Sequence, residues 1–243
     1  MDLLNRHEEA YSTLKSAERV FTEHPQLLVL KLYLQIKLGF ILDARRTLVV
    51  IEKVQIETPL LKRLEGELAL AMRDFDKAEA LLSSYYKTSP SMEAASLLAE
   101  VLKSKGKTTQ AADLLINEFE NSKKSFKGLF TLAKFFSSIK QYEQSNEYYF
   151  QVLEHRPENI IALNNLASNM LNQDNLIKAN DYAEQAVILA PDMPAVLDTI
   201  GWIKIQLGEN RLGLSYLQKA HNLAPNSTEI RVHYEQAKEI TAK

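Results

Sequence analysis

The 243-residue chain has no cysteine, one tryptophan, and only seven glycines and seven prolines. The lack of cysteine removes disulfide frameworks, thiolate metal sites and thiol nucleophiles, and it leaves the compartment open because a cysteine-free chain is at home anywhere. Scarce glycine and proline argue against a sandwich or barrel, which needs many tight turns. No run approaches the ~18 apolar residues of a membrane span, and the opening MDLLNRHEEAYSTLKSAERVF has no signal-peptide core. Charge of one sign is also missing: 29 Lys plus Arg against 31 Asp plus Glu gives −2. That balance supplies no concentrated positive field for nucleic acid or for a basic membrane arm. What is present is 46% apolar and 25% charged residues, enough to bury a large core.

The few prolines and glycines are periodic. Pro25 and Pro59 lie 34 residues apart, as do Pro157 and Pro191, and Pro191 and Pro225. Numbering repeats from Pro25, Pro59, Met92, Phe126, Ile160 and Pro194 puts all seven prolines at position 1 or position 32. At those places a missing N–H and a fixed φ do no harm to a helix. Gly39, Gly106 and Gly208 fall at position 15, between two apolar-periodic stretches, where a left-handed residue would end one helix and begin the next. After the first repeat, position 8 holds only glycine or alanine (Gly66, Ala99, Ala133, Ala167, Gly201), and position 20 is small throughout, as in Ala44, Ala78, Ser145 and Gly213. Helices approach closely only where side chains are small. Departures are Ile56 and Lys123 at position 32, Lys204 at position 11 and Glu118 at position 27.

No residues with the spacing of a catalytic or metal site accompany this pattern. His7, His24, His155, His221 and His233 are scattered among different repeats, none with a partner at metal-ligand spacing, and they read as solvated or capping side chains. Phosphate-cradling glycine loops and nucleophile elbows are absent, so we expect no enzymatic activity, no cofactor and no metal. Lys123, Lys124 and Lys127 form too short a cluster for a nucleic-acid stripe and read as a solvated turn.

The period, together with Asp74-Phe75-Asp76-Lys77-Ala78 and with Leu163, Leu166, Ala167, Ala179, Ala183, Ala186 and Pro191, resembles the tetratricopeptide (TPR) repeat family over almost the whole chain. The resemblance implies an all-α superhelical solenoid in one domain, 1–243. It would comprise a partial repeat 1–24, hairpins 25–58, 59–91, 92–125, 126–159, 160–193 and 194–227, and a helix 228–243 with Ser227 as N-cap, which reads as a capping helix or equally as the first helix of another truncated repeat. Ala10, Leu14 and Ala17 continue the period backward, so residues of about 5 to 21 read as the second helix of a repeat within a longer array.

In this family, positions 2, 5, 6, 9, 12 and 13 of each first helix line a concave groove. Carried over, they give Gln26, Val29, Tyr33, Lys37, Arg63 and Glu67 in the first two repeats. The last two give Asn164, Asn165, Ser168, Asn172, Asp198, Trp202 and Gln206, the residues we expect to hold a protein or peptide partner, because amides can both donate to and accept from an extended backbone. Trp202 reads either as an interface anchor or as packing against the neighbouring helix with its edge exposed. The basic and amide clamp that some family members use for chaperone tails is not reproduced. Leu163-Asn164-Asn165-Leu166-Ala167, Val196-Leu197-Asp198-Thr199-Ile200-Gly201-Trp202 and Leu223-Ala224-Pro225 are similar to the TPR lipoproteins that accompany exosortase (PEP-CTERM) and exopolysaccharide clusters. That likeness implies a periplasmic or outer-membrane-associated scaffold, with a cytoplasmic location as the alternative. The expected function is non-enzymatic binding, without nucleic acid and without membrane insertion by this segment. A structural spacer or assembly domain, able to form homo-oligomers, is the other reading.

Overall fold

A computed structural model describes residues 2–17, 24–56 and 58–242, with the side chains of 2–5 excepted. The described residues form fourteen helices: α1 (Asp2–Ala17), α2 (Pro25–Lys37), α3 (Ile41–Lys53), α4 (Pro59–Ala71), α5 (Phe75–Thr88), α6 (Met92–Ser104), α7 (Thr108–Asn121), α8 (Phe126–Ser138), α9 (Tyr142–His155), α10 (Ile160–Asn172), α11 (Leu176–Leu189), α12 (Pro194–Gln206), α13 (Asn210–Leu223) and α14 (Thr228–Thr241). Residues 18–21, expected to extend α1, lie outside the described residues. Two compact units divide the chain, Met1–Lys123 and Lys124–Lys243. In each, hairpins of a first and a second helix stack on the next hairpin: α2/α3, α4/α5 and α6/α7 in the first, α8/α9, α10/α11 and α12/α13 in the second, where α14 also packs on α12 and α13.

Local chemistry sets the helix boundaries. First helices start at the residues numbered 1, and Thr58, Ser91, Ser125, Asn159 and Ser227 cap α4, α6, α8, α10 and α14 by accepting from the third helical N–H. Where position 32 is proline, the residue before it is pushed out of the helical region: Ser89, Arg156, Ala190 and Ala224 have φ between −138° and −144°. Where Ile56 and Lys123 replace that proline the chain turns differently, through left-handed Gln55, Lys123 and Lys124.

Inside each hairpin the turn requires positive φ at position 15, whatever residue is there. Gly39, Gly106 and Gly208 supply it, but so do Arg73 (φ 61°), Lys140 (φ 60°) and Asp174 (φ 57°). An L-residue in that region is strained by about 1–2 kcal/mol. Part of this is offset by the larger chain entropy that glycine loses on folding. Arg73→Gly and Lys140→Gly are therefore each expected to stabilise the protein by about 0.5–1 kcal/mol, and Asp174→Gly by less. Urea midpoints check this: an unchanged or lowered midpoint for both basic residues would contradict it.

The small positions bring the paired helices together. A Cβ on Gly66 would stand 2.6 Å from Leu82 Cγ, and one on Gly201 would stand 2.7 Å from Leu217 Cγ. Leu82 and Leu217, both at position 24, are fully buried against these glycines. Two departures from the repeat pattern are absorbed by partners in the neighbouring repeat or turn. Glu118, buried, accepts from Tyr86 Oη at 2.7 Å, and burial together with that carboxylate pushes the Tyr86 pKa up to about 12. Lys204, also buried, reaches Glu184 at 3.0 Å and Glu209 at 3.4 Å. Burial works against its charge, yet the carboxylates outweigh it and hold the lysine above its ordinary pKa.

Candidate functional site

The groove positions of the second unit are set by α10 and α12, whose helical spacing brings Asn164, Ser168 and Asn172 into one row and Asp198, Trp202 and Gln206 into the next. The structure gives these residues different surroundings. Asn165 donates to Tyr149 Oη at 2.8 Å, so its amide is spent on α9, and burial pushes the Tyr149 pKa up to about 12. Asn172 is exposed and folds back on the carbonyl of Ser168 at 2.7 Å. Asn164 and Ser168 are half-buried and Gln206 is exposed. The Oδ1 of Asn164 is buried with no donor among the described residues.

Asp198 and Trp202 come together with a residue outside the expected set. His233 of α14 places Nδ1 2.9 Å from Asp198 Oδ2, and its ring stacks on Trp202 at 4.8 Å and 11°. Asp198 is only 7% exposed, and its other oxygen, Oδ1, has no donor among the described residues. The hydrogen bond to Asp198 raises the His233 pKa, against burial and with help from the negative charges of Asp198 and Glu229. Reading every histidine as solvated or capping is thus corrected: His233 is hydrogen-bonded to Asp198, His221 stacks on Tyr234 at 5.1 Å, and His7 meets Tyr33 edge-on at 5.8 Å. The signal for His233 was in the spacing. It lies 35 residues after Asp198, one repeat plus one position, which puts it on the next first-helix-like element directly opposite.

In the first unit the same groove positions build a cavity of about 700 Å³, lined by Gln26, Val29, Leu30 and Tyr33 of α2 and by Leu60 and Arg63 of α4, among others. Its wall is apolar, and Leu30 and Leu60 remain 43% and 44% exposed. Beside it runs an ionic chain across successive first helices. Lys37 pairs with Glu67 at 2.6 Å, and Arg63 pairs with Glu67 at 3.2 Å and with Glu93 at 2.7 Å. The Arg63 Nε faces Glu67 at an angle that makes an ion pair without a hydrogen bond. Leu30 and Leu60 stand at positions 6 and 2 of their repeats, so the period itself puts both on the groove face.

Among the described residues no group of three or more histidine and acidic side chains is placed to hold a metal ion, and no helix is long and apolar enough to cross a membrane.

A tetratricopeptide repeat protein from Parabacteroides merdae is similar over 98% of this chain and 95% of its own, with a TM-score of 0.73 at 15% identity. The fold is the TPR fold. TTC0263, a thermophilic TPR protein of Thermus thermophilus, matches 75% of the chain over its own full length, with a TM-score of 0.60 at 18% identity. A chain of the APC/C hetero-tetramer Cut9-Hcn1 matches 95% of this chain with 46% of its own, with a TM-score of 0.63 at 12% identity. At such identities the likeness is one of TPR architecture alone. No family model matches the sequence, and no curated protein does so.

Proposed function

We propose that the chain is a protein-interaction scaffold that holds a peptide or protein segment against its first helices. The carrying observation is the apolar cavity on α2 and α4. Large apolar side chains left exposed in a concavity beside fixed charges are the usual make-up of a recognition site, and a rigid helical wall lowers the ordering cost of binding. The exposed Asn172 and Gln206 offer polar contacts for a segment lying along the second unit. The resemblance of residues 163–231 to exosortase-associated lipoproteins supports a role in surface-protein sorting or polysaccharide export at the periplasmic face or outer membrane.

Leu30→Glu and Leu60→Glu place a charge on exposed cavity walls without touching the core. Each is expected to weaken partner capture at least about tenfold, the loss typical of one interface hot spot, with the circular dichroism spectrum unchanged. Capture from envelope and cytoplasmic fractions, quantified for wild type and variants, provides the check. Undiminished capture by both variants would reject the cavity as the site. Self-association of the purified chain that both variants leave intact would favour the assembly reading instead.

A further inference from the structure

We propose that the Asp198–Trp202 corner of the second unit is a subsite for a basic side chain, lysine or arginine, of the bound segment, and that His233 occupies it as an internal stand-in. The proposal rests on the reading of the first helices as a binding wall. A buried carboxylate beside an aromatic face is the pair of contacts that holds an ammonium or guanidinium: one supplies a charge-assisted hydrogen bond, the other the negative face of a ring. His233 already makes both contacts, at 2.9 Å to Asp198 and in parallel stacking at 4.8 Å on Trp202. The corner also has an acceptor to spare. Asp198 Oδ1 is buried and lacks a donor among the described residues. A guanidinium with five N–H groups satisfies such a lining, and an acidic side chain is repelled by it.

The stand-in is held by a removable charge. Facing His233 are Asp198 and Trp202 from α12 and Glu229 from its own helix; α13, which also packs on α14, contributes His221, stacked on Tyr234, and Tyr216, packed on the cluster that holds Ile230. These surroundings favour the protonated ring, and its pKa is raised above 6.5. A group with a raised folded-state pKa contributes fully below its unfolded value, and that contribution is lost as pH rises through the folded value. Above that point the ring facing Asp198 is no longer a cation, so a permanently charged side chain exchanges into the corner. Binding of a basic segment therefore strengthens as pH rises.

Trp202 is the single tryptophan, so its emission reports this corner in the intact chain. Hexa-arginine and hexa-citrulline peptides, which match in shape and differ in charge, are titrated at pH 5.5 and pH 8.5. A competing proton with a pKa at or above 6.5 weakens binding at pH 5.5 by at least about tenfold, so hexa-arginine is expected to bind Trp202 at least about tenfold tighter at pH 8.5. Hexa-citrulline should not show this. His233→Gln, which keeps a donor to Asp198 without the charge, should abolish the pH dependence, and Asp198→Asn should abolish the preference for arginine. Equal affinity for the two peptides, equal wild-type affinity at the two pH values, or an arginine preference that survives Asp198→Asn would overturn the proposal. Failure here leaves the capture test at Leu30 and Leu60 standing, and failure of that test leaves this titration readable, because the two sites lie in different units.

Discussion

Asn169→Ala is expected to lower the unfolding free energy by about 3–4 kcal/mol, the sum of two stranded polar groups at roughly 1–2 kcal/mol each and a small cavity. Asn169 is 1% exposed and is the junction of a polar chain in the second unit. Its Nδ2 donates to Ser145 Oγ and to Asn146 Oδ1, both at 2.8 Å, and its Oδ1 accepts from Ser137 Oγ at 2.8 Å. The Ser145 hydroxyl donates to the Ala133 carbonyl at 2.7 Å, and Asn146 donates to Gln173 at 3.0 Å, which in turn donates to Glu143 at 2.7 Å. Helices α8, α9 and α10 are thereby tied through side chains whose partners are interdependent. Removing the junction strands the buried Asn146 oxygen and takes the acceptor from the half-buried Ser137 hydroxyl. Adding Asn146→Leu and Ser137→Ala removes the stranded groups with their partner, so the triple variant should recover part of the loss. Urea unfolding measures the total, and amide exchange localises it to α8–α10. A cost under about 1 kcal/mol for the single variant would show that these bonds are readily replaced by water.

The fold was legible in the sequence because three features of a helical hairpin are enforced by residue type. A missing N–H is tolerated only at a helix boundary, a positive φ favours glycine, and a close approach excludes large side chains, so Pro157, Gly208 and Ala179 each announce their place. The same enforcement is weak where its cost is weak. Left-handed strain of about 1–2 kcal/mol is bearable, so Arg73, Lys140 and Asp174 occupy position 15 with nothing in their identity to mark it. Glu118 and Lys204 looked like breaks in the pattern because their partners, Tyr86 and Glu184, are 32 and 20 residues away, and a one-repeat signature does not register pairs across repeats.

Less of the candidate site could be read. Which helix faces the groove follows from the repeat, but whether a groove side chain is available depends on contacts that the period does not encode. Asn164 and Asn165 are adjacent and chemically identical. The second is tied to Tyr149, and the first keeps a buried oxygen without a donor. Trp202 turned out to pack and to remain half-buried at once, with His233 on one face. The apolar cavity depends on how much of Leu30 and Leu60 the adjoining helices leave uncovered, a fact about pairs of helices that neither residue shows alone.

Gly213→Ala is the second large effect, about 1–2 kcal/mol of net destabilisation. Alanine in a helix interior is favoured over glycine by about 1 kcal/mol, so on propensity alone the substitution would stabilise α13. The Cβ it adds would meet Gly201 O at 2.7 Å and the Ile205 side chain at 2.8 and 2.9 Å. A backbone carbonyl cannot turn aside, so α12 and α13 must move apart, and overpacking of this kind costs about 1–3 kcal/mol, occasionally more, before the propensity gain is subtracted. Separating them also loosens Leu217, which is fully buried between Gly201 and Ala237 of α14. Gly66→Ala is the control. There the close atoms are Leu82 Cγ and Cδ2 at 2.6 and 2.7 Å, a side chain that can shift its rotamer, and the net change should stay within about 1 kcal/mol. If urea midpoints show Gly213→Ala as stable as the parent, or Gly66→Ala the more damaging of the two, then the backbone contact between α12 and α13 is not what fixes their spacing.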